Sequence, residues 1–109
     1  PEALSTCPIC DDAYYAYTTG MRMAVSDDRG TVKSYLGDYP VAVAGKTGTA
    51  QTGQFSGGTE LKNYWFAGFV PAEQPRYTIV VLQDTQAEPA FSSAAIFARV
   101  AAGLEILAP

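Results

Sequence analysis

The chain has 109 residues, a formal net charge of −4, 48% hydrophobic residues and no histidine. That size suits one globular unit with a small core. The acidic balance, with seven basic residues and no basic cluster, excludes the electrostatic footprint of a nucleic-acid or anionic-lipid binder. Without histidine, every Ser-His-Asp and Cys-His mechanism is removed together with the commonest metal ligand, so lysine must supply any basic chemistry.

The chain opens on "PEALSTCPIC", with no starter Met and no signal-peptide pattern, and this start reads as a cut in a longer protein. Cys7 and Cys10 form a C-x-x-C pair. A zinc site needs about four ligands and a thioredoxin-like site a βαβ setting, so the pair reads as a local disulfide or two thiols ahead of the first helix. No metal and no cofactor is implied.

Asp11 or Asp12 is expected to cap a helix whose apolar positions Tyr14, Tyr17, Met21, Ala24 and Val25 recur at three-to-four spacing, ending near "SDDRG". Gly20 is a place for a kink. The tyrosines at 14, 15 and 17 read as packing residues, and Asp27 with Asp28 as a turn, because no third carboxylate stands at a ligand spacing. "TVKSYLGDYP" is then a connector, with at most a brief extended piece, leading into a strand from Val41 to about Gln51. The segment "TGQFSGGTELK" is expected to be a mobile surface loop that exposes Phe55. Strands follow at Tyr64–Val70 and Tyr77–Leu82, joined by "PAEQP", short enough for an antiparallel connection. Both carry apolar residues on both faces, so helices are expected to cover both sides of the sheet, with Trp65 and Phe66 in the core. Pro89 and "AFSSAAIFARVAAGLEIL" give a C-terminal helix, apolar almost all round and therefore buried. The result is an α+β arrangement: N-terminal helix, three-stranded antiparallel meander, C-terminal helix.

Within the first strand, "VAVAGKTGTAQTG" contains the tail of a phosphate-loop fingerprint. The fingerprint fails, because the position of its first glycine is held by Pro40 and the following threonines and glycines disfavour a helix. Read as a strand, the stretch places Lys46, Gly48 and Ala50 on one side and Thr47, Thr49 and Gln51 on the other. Gly48 leaves room for close approach to the main chain. On an edge strand facing a cleft, the Thr49 amide can meet an oxyanion and the Thr47 and Thr49 hydroxyls a carboxylate, with Lys46 supplying positive charge. The plain alternative is a solvated lysine on an edge strand.

"VAGKTGTAQ", then "YWFAGFVP", then "YTIVVL", together with the upstream "GMRMAVSDDRGT", resemble the C-terminal part of the penicillin-binding protein transpeptidase domain. The resemblance runs from about Ala13 to the end, and the extended "GKTGTAQ" is more similar to the class B, monofunctional transpeptidases than to β-lactamases. It implies a partial β-lactamase/transpeptidase-like fold. It also implies that Lys46 and Thr49 are catalytic: Lys46 bonds the serine of the S-x-N motif, and the Thr49 amide completes an oxyanion hole. Thr47, Gly48 and Thr49 would then hold the carboxylate of the peptidoglycan stem peptide or of a β-lactam.

The family also uses a serine nucleophile in S-x-x-K and a second serine in S-x-N. None of Ser5, Ser26, Ser34, Ser56, Ser92 and Ser93 has lysine three residues on or asparagine two residues on. Residues 1–109 are therefore expected to be a single C-terminal segment of a transpeptidase domain, inactive alone, whose partner is the remainder of that domain. The alternative is a non-catalytic β-lactam-sensing or protein-interaction module of the same fold. The Tyr77–Leu82 strand is expected to have an unpaired apolar edge open to self-association. By the resemblance, the parent protein would lie on the extracytoplasmic face of the bacterial cell membrane, anchored by a segment outside this chain, and act in cell-wall synthesis.

Overall fold

The computed structural model of the chain describes residues 2–107. Helix α1 (Asp11–Ser26) and a single helical turn α2 (Lys33–Leu36) precede strands β1 (Ala44–Ser56), β2 (Thr59–Val70) and β3 (Tyr77–Gln86), and helix α3 (Ser93–Leu107) closes the order. The strands form one antiparallel sheet in the order β1-β2-β3. The expected α+β meander is therefore observed.

α1 begins one residue earlier than a capping aspartate would have it. Cys10 stands at the N-cap without a side-chain bond, and Asp11 and Asp12 lie inside the first turn. Their charges there still favour the positive end of the helix dipole. The helix continues through Gly20 with no interruption. Every side chain from Asp11 to Tyr17 is exposed, so the expected apolar stripe is buried only at its far end, at Val25. Tyr14 and Tyr17 meet edge to face, with ring centroids 5.5 Å apart, outside the core.

The "SDDRG" turn ends the helix by local hydrogen bonds. The Asp27 carboxylate accepts from the Arg29 amide at 2.9 Å, and the Gly30 amide donates to the Asp27 carbonyl at 2.8 Å. The chain then doubles back on α1, where the Val32 amide donates to the Ala24 carbonyl at 3.0 Å. A side chain at Gly30 would collide with the Met23 and Ala24 carbonyls, so this close return needs glycine. The connector expected after it holds a helical turn rather than an extended piece, and Leu36 on that turn is buried.

All three helices cover one face of the sheet. The core joins Val25 of α1, Leu36 of α2 and Phe97 and Ala101 of α3 to Phe66, Val70 and Ile79 of the sheet. Phe66 and Phe97 are fully buried and meet edge to face, with centroids 5.0 Å apart. Each fully buried ring of this kind contributes about 1.5–3 kcal/mol of burial free energy. α3 is less enclosed than its composition suggests, burying Ala94, Phe97 and Ala101 and exposing Val100.

The second face of the sheet is uncovered among the described residues. Trp65 is 39%, Val80 59% and Leu82 45% exposed, against the expectation that Trp65 is core and both faces are covered. Period two decides the difference: Phe66 faces the helices and its neighbour Trp65 faces away. β3 is a sheet edge, as expected, and β1 is the other.

The segment expected as a mobile loop is an ordered hairpin. β1 runs to Ser56 and β2 begins at Thr59, joined by Gly57 (φ 59°) and Gly58 (φ 83°), the two positive-φ positions of a tight hairpin turn. A register shift between Gln51 and Phe55 is built around Gly53 (φ 76°). The Thr52 hydroxyl donates to the Leu61 carbonyl at 2.5 Å and accepts from the Gln54 amide at 3.1 Å. Phe55 is exposed near the tip, as expected. Cys7 and Cys10 are free, exposed thiols.

Candidate functional site

The strand register sorts the lysine motif onto two faces. Thr47 stands opposite Phe66 and Thr49 opposite Tyr64, on the helix-covered side; Lys46 stands opposite Ala67 and Gly48 opposite Trp65, on the open side. The alternation expected from the sequence is the one observed. Because β1 is an edge strand, side chains from both faces reach the same border of the sheet. A Cβ at Gly48 would stand at an ordinary 3.5 Å from the Trp65 Cβ, so Gly48 leaves its main chain approachable without being demanded by packing.

Lys46 is exposed and its ammonium donates to the carbonyl of Thr47 at 2.6 Å. No ion pair with a carboxylate is present at Lys46 among the described residues, so the charge is held only by its own strand. A rotamer change frees it for an incoming anion or hydroxyl.

Beside Thr47, Gly48 and Thr49 opens a cleft of 460 Å³. Its opposite wall comes from the returning turn, with Thr31 and Tyr35, and from the entry to α3, with Ser92 and Ser93. No charged side chain lines it among the described residues; its polar side-chain groups are hydroxyls, the Gln83 amide and the Trp65 indole. Neutral donors of this kind can hydrogen-bond an anion; Lys46, next to Thr47 on the strand, is not among the residues that line the cleft.

Three alternate rungs, those on the helix-covered face, tie this cleft to the core. Gly45, Gly68 and Ile79 form the deepest; Thr47, Phe66 and Val81 form the next; Thr49, Tyr64 and Gln83 form the one at the cleft. Lys46, Thr47, Gly48 and Thr49 follow one another on one edge strand, and three of the four, Thr47, Gly48 and Thr49, line the cleft. The sequence does not single out Tyr64, Gln83 or Ser93, because their place depends on strand register and on where α3 begins. The signal available was "SSA" before the apolar helix: Ser92 is its N-cap, accepting from the Ala95 amide at 3.0 Å.

The family model for the penicillin binding protein transpeptidase domain matches residues 1–102. The chain belongs to that family. A search of curated proteins finds no match. Among solved structures, penicillin-binding protein 2B from Streptococcus pneumoniae strain R6 superposes with a TM-score of 0.82 at 17% identity, over 97% of this chain and 17% of that one. The penicillin-binding protein PBP2 of Helicobacter pylori, solved in complex with MreC, gives 0.73 at 23% identity over 89% of this chain and 18% of that one. Pseudomonas aeruginosa PBP2, solved with WCK 5153, gives 0.66 at 24% identity over 98% of this chain and 22% of that one. The likenesses establish the shared transpeptidase fold, and the chain spans about a fifth of the length of these proteins. No helix among the described residues is long and apolar enough to cross a membrane.

Proposed function

We propose that this chain is the C-terminal portion of a class B peptidoglycan D,D-transpeptidase and that it supplies the strand bearing Lys46, Thr47, Gly48 and Thr49. In this reading the Thr47 and Thr49 hydroxyls bind the carboxylate of a stem peptide or β-lactam. The Thr49 amide provides part of the oxyanion hole, and Lys46 bonds the serine of the S-x-N motif. Preorganised donors of this kind act where negative charge develops on the carbonyl oxygen under attack. The observation that carries the reading is the lysine motif on an edge strand beside a cleft with no charged lining.

The nucleophile and its lysine are absent from these residues, so acyl transfer requires the remainder of the domain. That remainder is the proposed partner; its strands would meet the free edge of β3 and its side chains the open face carrying Trp65, Val80 and Leu82. Self-association through the same edge is the alternative when the remainder is missing. The parent protein is placed by this reading on the extracytoplasmic face of a bacterial cell membrane, held by an anchor outside this chain.

The test is acylation of the complete domain by a fluorescent penicillin. Lys46→Ala is expected to slow acylation on the order of 100-fold or more, the loss typical of a removed transition-state donor. Acylation at the unaltered rate would refute the role given to Lys46. A non-catalytic β-lactam-sensing or interaction module predicts a different outcome: no acylation after the S-x-x-K-containing portion is supplied.

A further inference from the structure

We propose that Ser93 and Gln83 are positioning residues of the transpeptidase site, a rigid strut that sets the height of the Thr49–Tyr64 rung against the entry of α3. The inference rests on the function proposed above for the lysine strand. Ser93 is the single buried polar residue among the described residues, 6% exposed at the first position of α3. A buried hydroxyl is retained at this cost only when its hydrogen bonds are made. Here both capacities are used: the Ser93 hydroxyl donates to the Tyr64 carbonyl at 3.0 Å and accepts from the Gln83 side-chain amide at 3.0 Å. The same Gln83 nitrogen donates to the Phe91 carbonyl at 3.0 Å, so one amide fixes both the helix entry and the segment before it.

The strut stands where the sheet is irregular. Between Lys62–Gln86 and Tyr64–Gln83 the register shifts by one, leaving Asp84 and Thr85 opposite Asn63. Thr85 takes a left-handed conformation, φ 47°, and its amide is satisfied by the Asn63 side-chain oxygen at 2.8 Å. A bulge of this kind loosens the rung beside it unless other bonds hold that rung. Tyr64 is the rung partner of both Thr49 and Gln83, so the bonds of Ser93 and Gln83 fix the residue that pairs with the catalytic strand. Gln83, Ser93, Thr47 and Thr49 also line one cleft, and the strut therefore sets the separation of its walls.

Neither residue is assigned contact with the reacting atoms, so the expected loss is moderate. In the complete domain, Ser93→Ala and Gln83→Leu should each lower the second-order acylation constant by a fluorescent penicillin about tenfold, below the roughly 100-fold cost of a full 1 Å misplacement. The double variant should be little worse than either single one, because the two side chains act as one unit. Ser93→Thr, which keeps the hydroxyl, should recover most of the rate. Val25→Ala is the control: it damages the same core from a residue that does not line the cleft, and should leave the rate unaltered at a comparable fall in Tm. Gln83 is only half-buried, so Gln83→Leu decides the matter if Ser93→Ala does not fold. Wild-type acylation in Gln83→Leu, or a Val25→Ala variant slowed as much as it is, would overturn the inference. Unaltered acylation in Lys46→Ala would overturn the proposed function and this inference with it, whereas loss in Lys46→Ala with none in Gln83→Leu overturns the strut alone.

Discussion

The Phe66 ring occupies the space that a Cβ at Gly45 would fill. Gly45 lies immediately before Lys46 on β1, so the absence of one methyl group allows the largest buried ring of the sheet to lie against the strand that bears Lys46. Gly45→Ala should destabilise the chain by about 1–3 kcal/mol, the usual cost of forcing extra volume into a packed core. Urea denaturation of the complete domain measures this as a lower midpoint with an unaltered slope.

The β1–β2 turn gives a prediction of opposite kinds at adjacent positions. Gly57 and Gly58 both have positive φ, and a side chain at either would meet nothing within 4 Å. Conformation alone therefore decides the outcome. Gly57→Asn should be nearly neutral, because asparagine adopts this conformation readily, whereas Gly58→Val should cost about 1–2 kcal/mol and raise amide exchange along the hairpin. Equal behaviour of the two variants would contradict the turn geometry.

The open face of the sheet separates stability from assembly. Val80 and Leu82 are exposed on it, so Val80→Lys and Leu82→Lys should change the stability of these residues' own fold by no more than about 0.5 kcal/mol. Association with the S-x-x-K-containing portion, followed by size-exclusion chromatography, should be abolished by either lysine, since it would have to be desolvated without a partner.

The elements were legible where a pattern is local, and the site was legible where it lies on one strand. The lysine strand, the strand beginning at Tyr77 and the C-terminal helix follow from runs of apolar residues, and the two-sided display of Lys46 and Thr47 follows from period two. The hairpin looks like a loop in sequence because glycine, serine and threonine mark loops in composition, while the positive-φ pair Gly57-Gly58 serves equally as a tight turn between long strands. The sequence suggests core for Trp65 because an apolar residue on a middle strand usually is; its exposure reflects a sheet covered on one face among these residues. Tyr14 and Tyr17 follow helical spacing, yet the first turns of α1 project from the core, and spacing carries no information about how far a helix extends past its support. Ser93 and Gln83 depend on register and on a bulge, neither of which a single sequence displays.

Alkaline stability should carry a signature of Tyr39. Partial burial, and then the nearby Glu105 carboxylate, both raise its phenol above the usual 10.0. Above about pH 10 the unfolded chain loses this proton before the folded chain does, so the folded state binds more protons and stability falls as pH rises. The contribution is fully present below pH 10 and disappears through the folded value. Tyr39→Phe should flatten that part of the alkaline Tm profile; an unchanged profile would show that the phenol is not held in its neutral form.

The most direct test of the central claim is intact-mass spectrometry after incubation with benzylpenicillin, first of this chain alone and then with the S-x-x-K-containing portion supplied in trans. If, as proposed, the lysine strand is one wall of a site whose nucleophile lies elsewhere, the chain alone should show no added mass and acylation should appear, on the other portion, only in the mixture. A covalent penicilloyl adduct on residues 1–109 would contradict the account.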